Sequence, residues 1–237
     1  MTTPTPPTTL SRTQRLGIRD DVAYILPMAL FLLLTGIAGY FPSAYVPAYV
    51  LKAVLAAAAL VLCWPAYTKI RWDYWWLGII VGVVGIVQWV VMQLWLQKTF
   101  AGVFLFAPPK DPFNPLEAFD SDAMLYGFLF ARIFSATIIV PVMEELFWRD
   151  YLWRTVLAPN DFKLASVGEW GWAPVLIVSG AFASVHGHWW LTSIVWGLMI
   201  AGLLVYTKSL GACIIAHGVT NLLLAGYVLW TRDWAFW

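Results

Sequence analysis

Long apolar runs separated by short polar joints dominate this chain. No Asp, Glu, Lys or Arg occurs in 22–51, 53–68, 74–97, 170–207 or 209–231. A helix rises about 1.5 Å per residue, so about 20 apolar residues cross a hydrocarbon core about 30 Å thick. The runs predict helical spans near 22–41, 46–67, 74–97, 124–147, 172–188, 190–207 and 210–230. The stretch 170–207 is too long for one helix, and HGHWW at 186–190 supplies the break. Seven spans result, or eight if the Pro-rich connection 101–122 holds a short re-entrant helix. Nothing alternates over the length a membrane barrel needs. The expected fold is all-α: a polytopic integral membrane helical bundle.

Composition agrees, with 61% hydrophobic and 11% charged residues, where soluble domains carry about a quarter charged. The net charge of +1 says nothing about nucleic acid, but no basic stripe exists to bind it, so the bilayer and not nucleic acid is the expected partner. Residues 1–20 read as a polar, Thr/Pro-rich disordered tail, and 21–237 as one transmembrane domain. The first apolar run is of full span length without an A-x-A site, which predicts a retained span. Cys63 and Cys213 fall inside spans and form no disulfide framework.

Charge asymmetry predicts the orientation. With the N-terminus inside, the inner segments carry Arg12, Arg15, Arg19, Lys69, Arg71, Arg149, Arg154, Lys163 and Lys208. The outer ones carry Lys98, Lys110 and Arg232, while Lys52 and Arg132 lie within spans. Trp72, Trp75, Trp76, Trp189, Trp190, Trp230, Trp234 and Trp237 sit at span ends, as an interfacial aromatic belt would. Gly78, Gly82 and Gly85 have small-residue spacing, which suits either close helix packing or lipid-facing flexibility.

Against this apolar background, Glu144 and Glu145 close the uncharged stretch 133–143, with Arg149 just beyond. A carboxylate at membrane depth costs roughly 2.5–3.5 kcal/mol on insertion scales, so it is rarely left without a task. Neighbours on a helix point about 100° apart, so the two differ in role. Glu145 and Arg149, four apart with the acid first, favour a same-face pair. That leaves Glu144 unpaired, as suits a general base. A plainer reading puts both glutamates in an inner loop beside Asp150 and Arg154. His217 and Asn221 share a helix face and can aim donors at a developing oxyanion, or serve as interhelical glue. His186 lies four after Phe182 within the span 172–188, where a packed or interfacial role is the plainer alternative. His188, followed by two tryptophans, is the interfacial one of the three histidines.

Taken together, Glu144-Glu145-x-x-x-Arg149, Phe182-x-x-x-His186 and His217-x-x-x-Asn221, in this order on separate helical regions, resemble the CPBP (Abi) family. That family contains the CAAX prenyl endopeptidase-like intramembrane glutamic proteases. The most specific part is PVMEELFWRDYLWR at 141–154, and Phe147-Trp148 resembles the branch found with bacterial exosortase systems. The resemblance covers 144–221, about a third of the chain. It implies a glutamate-dependent endopeptidase cutting a membrane-associated peptide or protein, lipidated or not, in a cavity open to the cytoplasm. By the same resemblance Glu144 would activate water with help from His186, and His217 and Asn221 would form the oxyanion site. Glu145, Arg149 and Phe182 would support them. No cofactor and no metal is implied. The expected location is a bacterial inner membrane.

Three other readings compete. A metalloprotease would gather Glu and His ligands from separate helices, since no HExxH occurs. A transporter would use Glu144 and His217 as a proton relay, yet no inverted repeat is evident. A scaffold or immunity protein would keep the fold without the chemistry.

Overall fold

The computed structural model describes residues 17–237. Most of the expected tail 1–20, with Arg12 and Arg15, lies outside the described residues. Seven substantial helices follow: α1 (Asp20–Tyr40), α2 (Tyr45–Cys63), α3 (Trp75–Thr99), α4 (Asp122–Leu157), α5 (Trp172–Ser184), α6 (Trp190–Thr207) and α7 (Leu210–Thr231). Asp20 and Asp21 open α1, where acids suit the helix dipole. The bundle turns large apolar side chains outward, among them Leu33, Val61, Val91, Phe130 and Leu176, each over 60% exposed. A soluble protein would not present such a surface, whereas lipid requires it. This is an integral membrane helical bundle.

Among the described residues six helices are long and apolar enough to span, the α2 span being counted through the 3-10 turn Trp64–Ala66. The expected seventh, α5, has only 13 residues, about 20 Å against a core of about 30 Å. The apolar run to residue 188 is cut short by a 3-10 turn, Gly187–Trp189, in which Gly187 has φ +53°. HGHWW is therefore the break, and His186 lies just beyond the helix instead of inside it. By contrast, α4 does not stop near 147. It has 36 residues and runs through two π-turns, Ser135–Ile139 and Leu146–Leu152. The connection 101–122 holds only a 3-10 turn, Phe104–Phe106, and a four-residue helix, Pro115–Ala118. It contributes no re-entrant span.

Of the two readings of the glycine stripe in α3, close packing holds. A Cβ on Gly78 would lie 2.5 Å from the Ala212 carbonyl oxygen, and one on Gly82 2.7 Å from that of Ala216. A Cβ on Gly85 would meet the Thr220 hydroxyl at 2.7 Å. The ascending pairs make α3 and α7 parallel and nearly touching, which fixes the rotation of α7. Gly82→Ala is expected to force them apart and cost about 1–3 kcal/mol as overpacking does. A lowered unfolding temperature in detergent would register this, and an unchanged one would mean the contact yields freely.

The two ends of the bundle differ. At the basic end, Lys163 pairs with Asp20, Lys208 donates to the Gly168 carbonyl, and the Ser209 hydroxyl donates to the Arg71 carbonyl at 2.9 Å. A buried network seals this end: Tyr24 donates to Asp150 at 2.7 Å, and Arg154 donates to Asp150 at 2.6 Å and to Thr68 at 2.9 Å. Asp150 and Arg154 are thus helix residues in a closed polar clamp, which removes the loop reading of the glutamates. At the far end, a ring nitrogen of His188 lies 3.1 Å from the Phe104 carbonyl and Phe106 stacks on Trp190 at 5.9 Å. Lys52 and Arg132 are buried without a carboxylate in ion-pair range among the described residues. Lys52 lies 4.4 Å from the Phe31 and Tyr49 rings, and Arg132 lies 4.8 Å from Tyr49 and 4.6 Å from Trp237. Aromatic faces hold desolvated cations with about 2 kcal/mol or more each.

Candidate active site

The middle of α4, between its two π-turns, carries Glu144 and Glu145. A π-turn inserts a residue into the ladder, loosening local hydrogen bonds and shifting the faces beyond it. Here the first π-turn meets α7, and Asn221 Nδ2 donates to the Ala136 carbonyl at 2.8 Å. The two helices are thereby pinned beside the glutamates.

Glu145 is fully buried and holds two partners. Its Oε1 accepts from His217 Nδ1 at 2.9 Å, and its Oε2 lies 3.3 Å from Arg149 Nε. The expected pairing with Arg149 is present, but the contact with His217 was not legible from spacing. Arg149 is also buried, with its guanidinium carbon 4.7 Å from the Phe182 ring and 5.4 Å from that of Trp196. Phe182 thus carries the cation on its face, which explains an aromatic residue in that motif. The Glu144 Oε2 is buried without a hydrogen-bond partner among the described residues. In an apolar setting an unsatisfied carboxylate oxygen is costly, so it marks a place for water or substrate.

His186 is held by its own turn. The Phe182 carbonyl can only accept, so the 2.7 Å contact to His186 Nδ1 puts the proton on Nδ1 and leaves Nε2 free. The ring also packs edge-on against Trp89 at 5.8 Å. His188 faces the Phe104 carbonyl at the far end and takes no part in the site. His186→Ala is therefore expected to lower turnover by about 10²-fold or more, the scale of a lost acid/base partner. His188→Ala should leave turnover within a factor of about two, and equal losses would refute this assignment.

Glu144, His186, His217 and Asn221 converge on one cavity of about 110 Å³, larger than the space a single water needs. All four proposed reacting residues line it, and Glu145 and Arg149 stand behind. Trp196, Trp89 and Thr220 also line it and were not singled out from sequence. Trp196 meets His217 edge-on at 4.7 Å, and no local pattern distinguishes it from the other tryptophans. Among the described residues, no three His, Cys, Asp or Glu side chains gather as a metal site would require.

Residues 126–223 match the family model of type II CAAX prenyl endopeptidases, Rce1-like. Over this segment the chain is similar to that family. It contains every residue of the three motifs and the whole cavity except Trp89 and Leu224. No curated protein and no solved structure matches the chain. The Rce1-like segment starts within α4 and ends within α7, so α1 to α3 lie outside the match.

Proposed function

We propose that the protein is an intramembrane endopeptidase that uses Glu144 to activate water against a peptide bond of a membrane-associated substrate. The observation that carries this reading is the unpartnered Glu144 carboxylate facing a cavity shared with two imidazoles and an amide. A water between Glu144 and His186 Nε2 would lose its proton to the carboxylate as it attacks the carbonyl carbon. The oxygen of that carbonyl would gain charge near His217 and Asn221. With His217 Nδ1 committed to Glu145, its Nε2 would need a proton to act as the donor, and the Glu145 carboxylate stands where it would compensate the charge. Asn221 has one Nδ2–H committed to Ala136 and a second left to donate. The proton on Glu144 would then pass to the departing amine, completing hydrolysis.

Metal chemistry at the same cavity predicts a different outcome with a strong chelator, which should leave the glutamate mechanism unaffected. We further propose seven membrane segments, with α5 as a partial one, and the basic end in the cytoplasm of a bacterial inner membrane. The reading is tested by comparing membrane-peptide pools from cells carrying the native chain and cells carrying Glu144→Gln. An uncut precursor should accumulate in the second, and identical pools would refute proteolysis.

A further inference from the structure

A second cavity adjoins the first. It measures about 220 Å³ and shares Trp89, His186 and Leu224 with the catalytic cavity. Its remaining walls are Trp189 from the 187–189 turn and Ala235, Phe236 and Trp237 from the segment after α7. No acidic, Lys or Arg side chain lines it. Leu224 lies seven residues before the end of α7, about 10 Å below the far end of the bundle. The chamber therefore leads from the glutamates towards the far end.

The opposite route is closed. Below Glu144, Leu146, Ile200, Leu204 and Cys213 are each at most 1% exposed. Beneath them the Asp150–Arg154–Tyr24 clamp fills the basic end. That end also gathers Arg19, Lys69, Arg71, Lys163 and Lys208, against Lys98, Lys110 and Arg232 at the other. Positive residues stay in the cytoplasm. An inside N-terminus, expected from the charge pattern, and a cytoplasmic mouth, implied by the family resemblance, therefore do not go together on this reading of the cavity.

We infer that the catalytic cavity is reached from the non-cytoplasmic face through the aromatic chamber, which seats an apolar side chain of an extended peptide on that face. The occupant follows from the wall: aromatic and uncharged, continuous with the reacting groups, and wider than the cavity behind it. The peptide part rests on the protease reading, whereas the route does not.

The test uses single cysteines in the full chain, since Cys63 and Cys213 are buried and give little background. Leu224→Cys is treated with a small membrane-impermeant cationic thiosulfonate in sealed right-side-out vesicles. It should react there, while Asn160→Cys at the exposed basic end should react only after permeabilisation. Adding Ala235→Trp should slow the Leu224→Cys reaction by about tenfold or more by filling the chamber. A five-residue peptide with central Phe should protect Leu224→Cys at lower concentration than its Asp counterpart. Labelling only from the opposite face, or a rate indifferent to Ala235→Trp, overturns the route. Equal protection by the two peptides overturns the apolar seat. None of these readouts needs hydrolysis, so they stand apart from the fate of Glu144→Gln.

Discussion

Glu144→Gln should abolish hydrolysis and leave the protein folded. The amide is nearly the same size and shape as the carboxylate, and the buried Glu144 Oε2 has no hydrogen-bond partner among the described residues whose loss could loosen the bundle. What disappears is the ability to take a proton from water. A positioned general base is worth about 10²–10⁴ in rate, so turnover of a membrane-inserted peptide should fall by at least about 10³-fold. Unfolding temperature in detergent should stay near the native value, because a costly buried charge has been removed without disturbing the Glu145–Arg149 pair. Turnover within about tenfold of native would show that some other group activates the water.

Arg149→Met should be the most damaging substitution for stability. Its guanidinium is 1% exposed and lies against a fully buried Glu145. Removing one member of a buried pair costs about 3–5 kcal/mol, because the remaining charge has no counterpart in low dielectric. Adding Glu145→Gln in the same chain should recover most of that loss. The amide oxygen can still accept from His217 Nδ1, and the methionine can still pack on Phe182 and Trp196. Activity should remain low in the double variant, since His217 then lacks a compensating carboxylate. Denaturant unfolding of the native chain, both single variants and the double variant measures the coupling directly. If the double variant is no more stable than Arg149→Met, the pair is not what destabilises the single one.

The contrast between the two glutamates shows where local pattern stops being informative. Adjacent helix positions must point apart, so two roles were readable from sequence, and the i,i+4 acid–base order made Glu145 the paired one. That Glu145 also orients His217, 72 residues later, was not readable. Glu144, His186, His217 and Asn221 surround one cavity, but Trp89 and Trp196, which wall it, carry no local signal, and two tryptophans of the expected interfacial belt wall the adjoining chamber. Trp72, Trp75, Trp76 and Trp230 are indeed at least half exposed. Trp189 and Trp237 instead face the chamber, and Trp234 is buried. Nothing within a few residues of a tryptophan separates the two fates.

Lengths of uncharged run are local properties, and they decided that this chain forms helices in a membrane and roughly where each begins. Motif residues at a spacing of four are local too, since one helical turn brings them to a common face. Tertiary structure decided the rest. Glycine contacts set the rotation of α7 against α3, and two π-turns shift the faces of α4, so α4 does not follow a constant period. Those rotations choose which carboxylate meets the imidazole, and the shortness of α5 places His186 at the cavity's wall. Where the cavity opens depends on how seven helices close at one end and part at the other, which no single segment encodes.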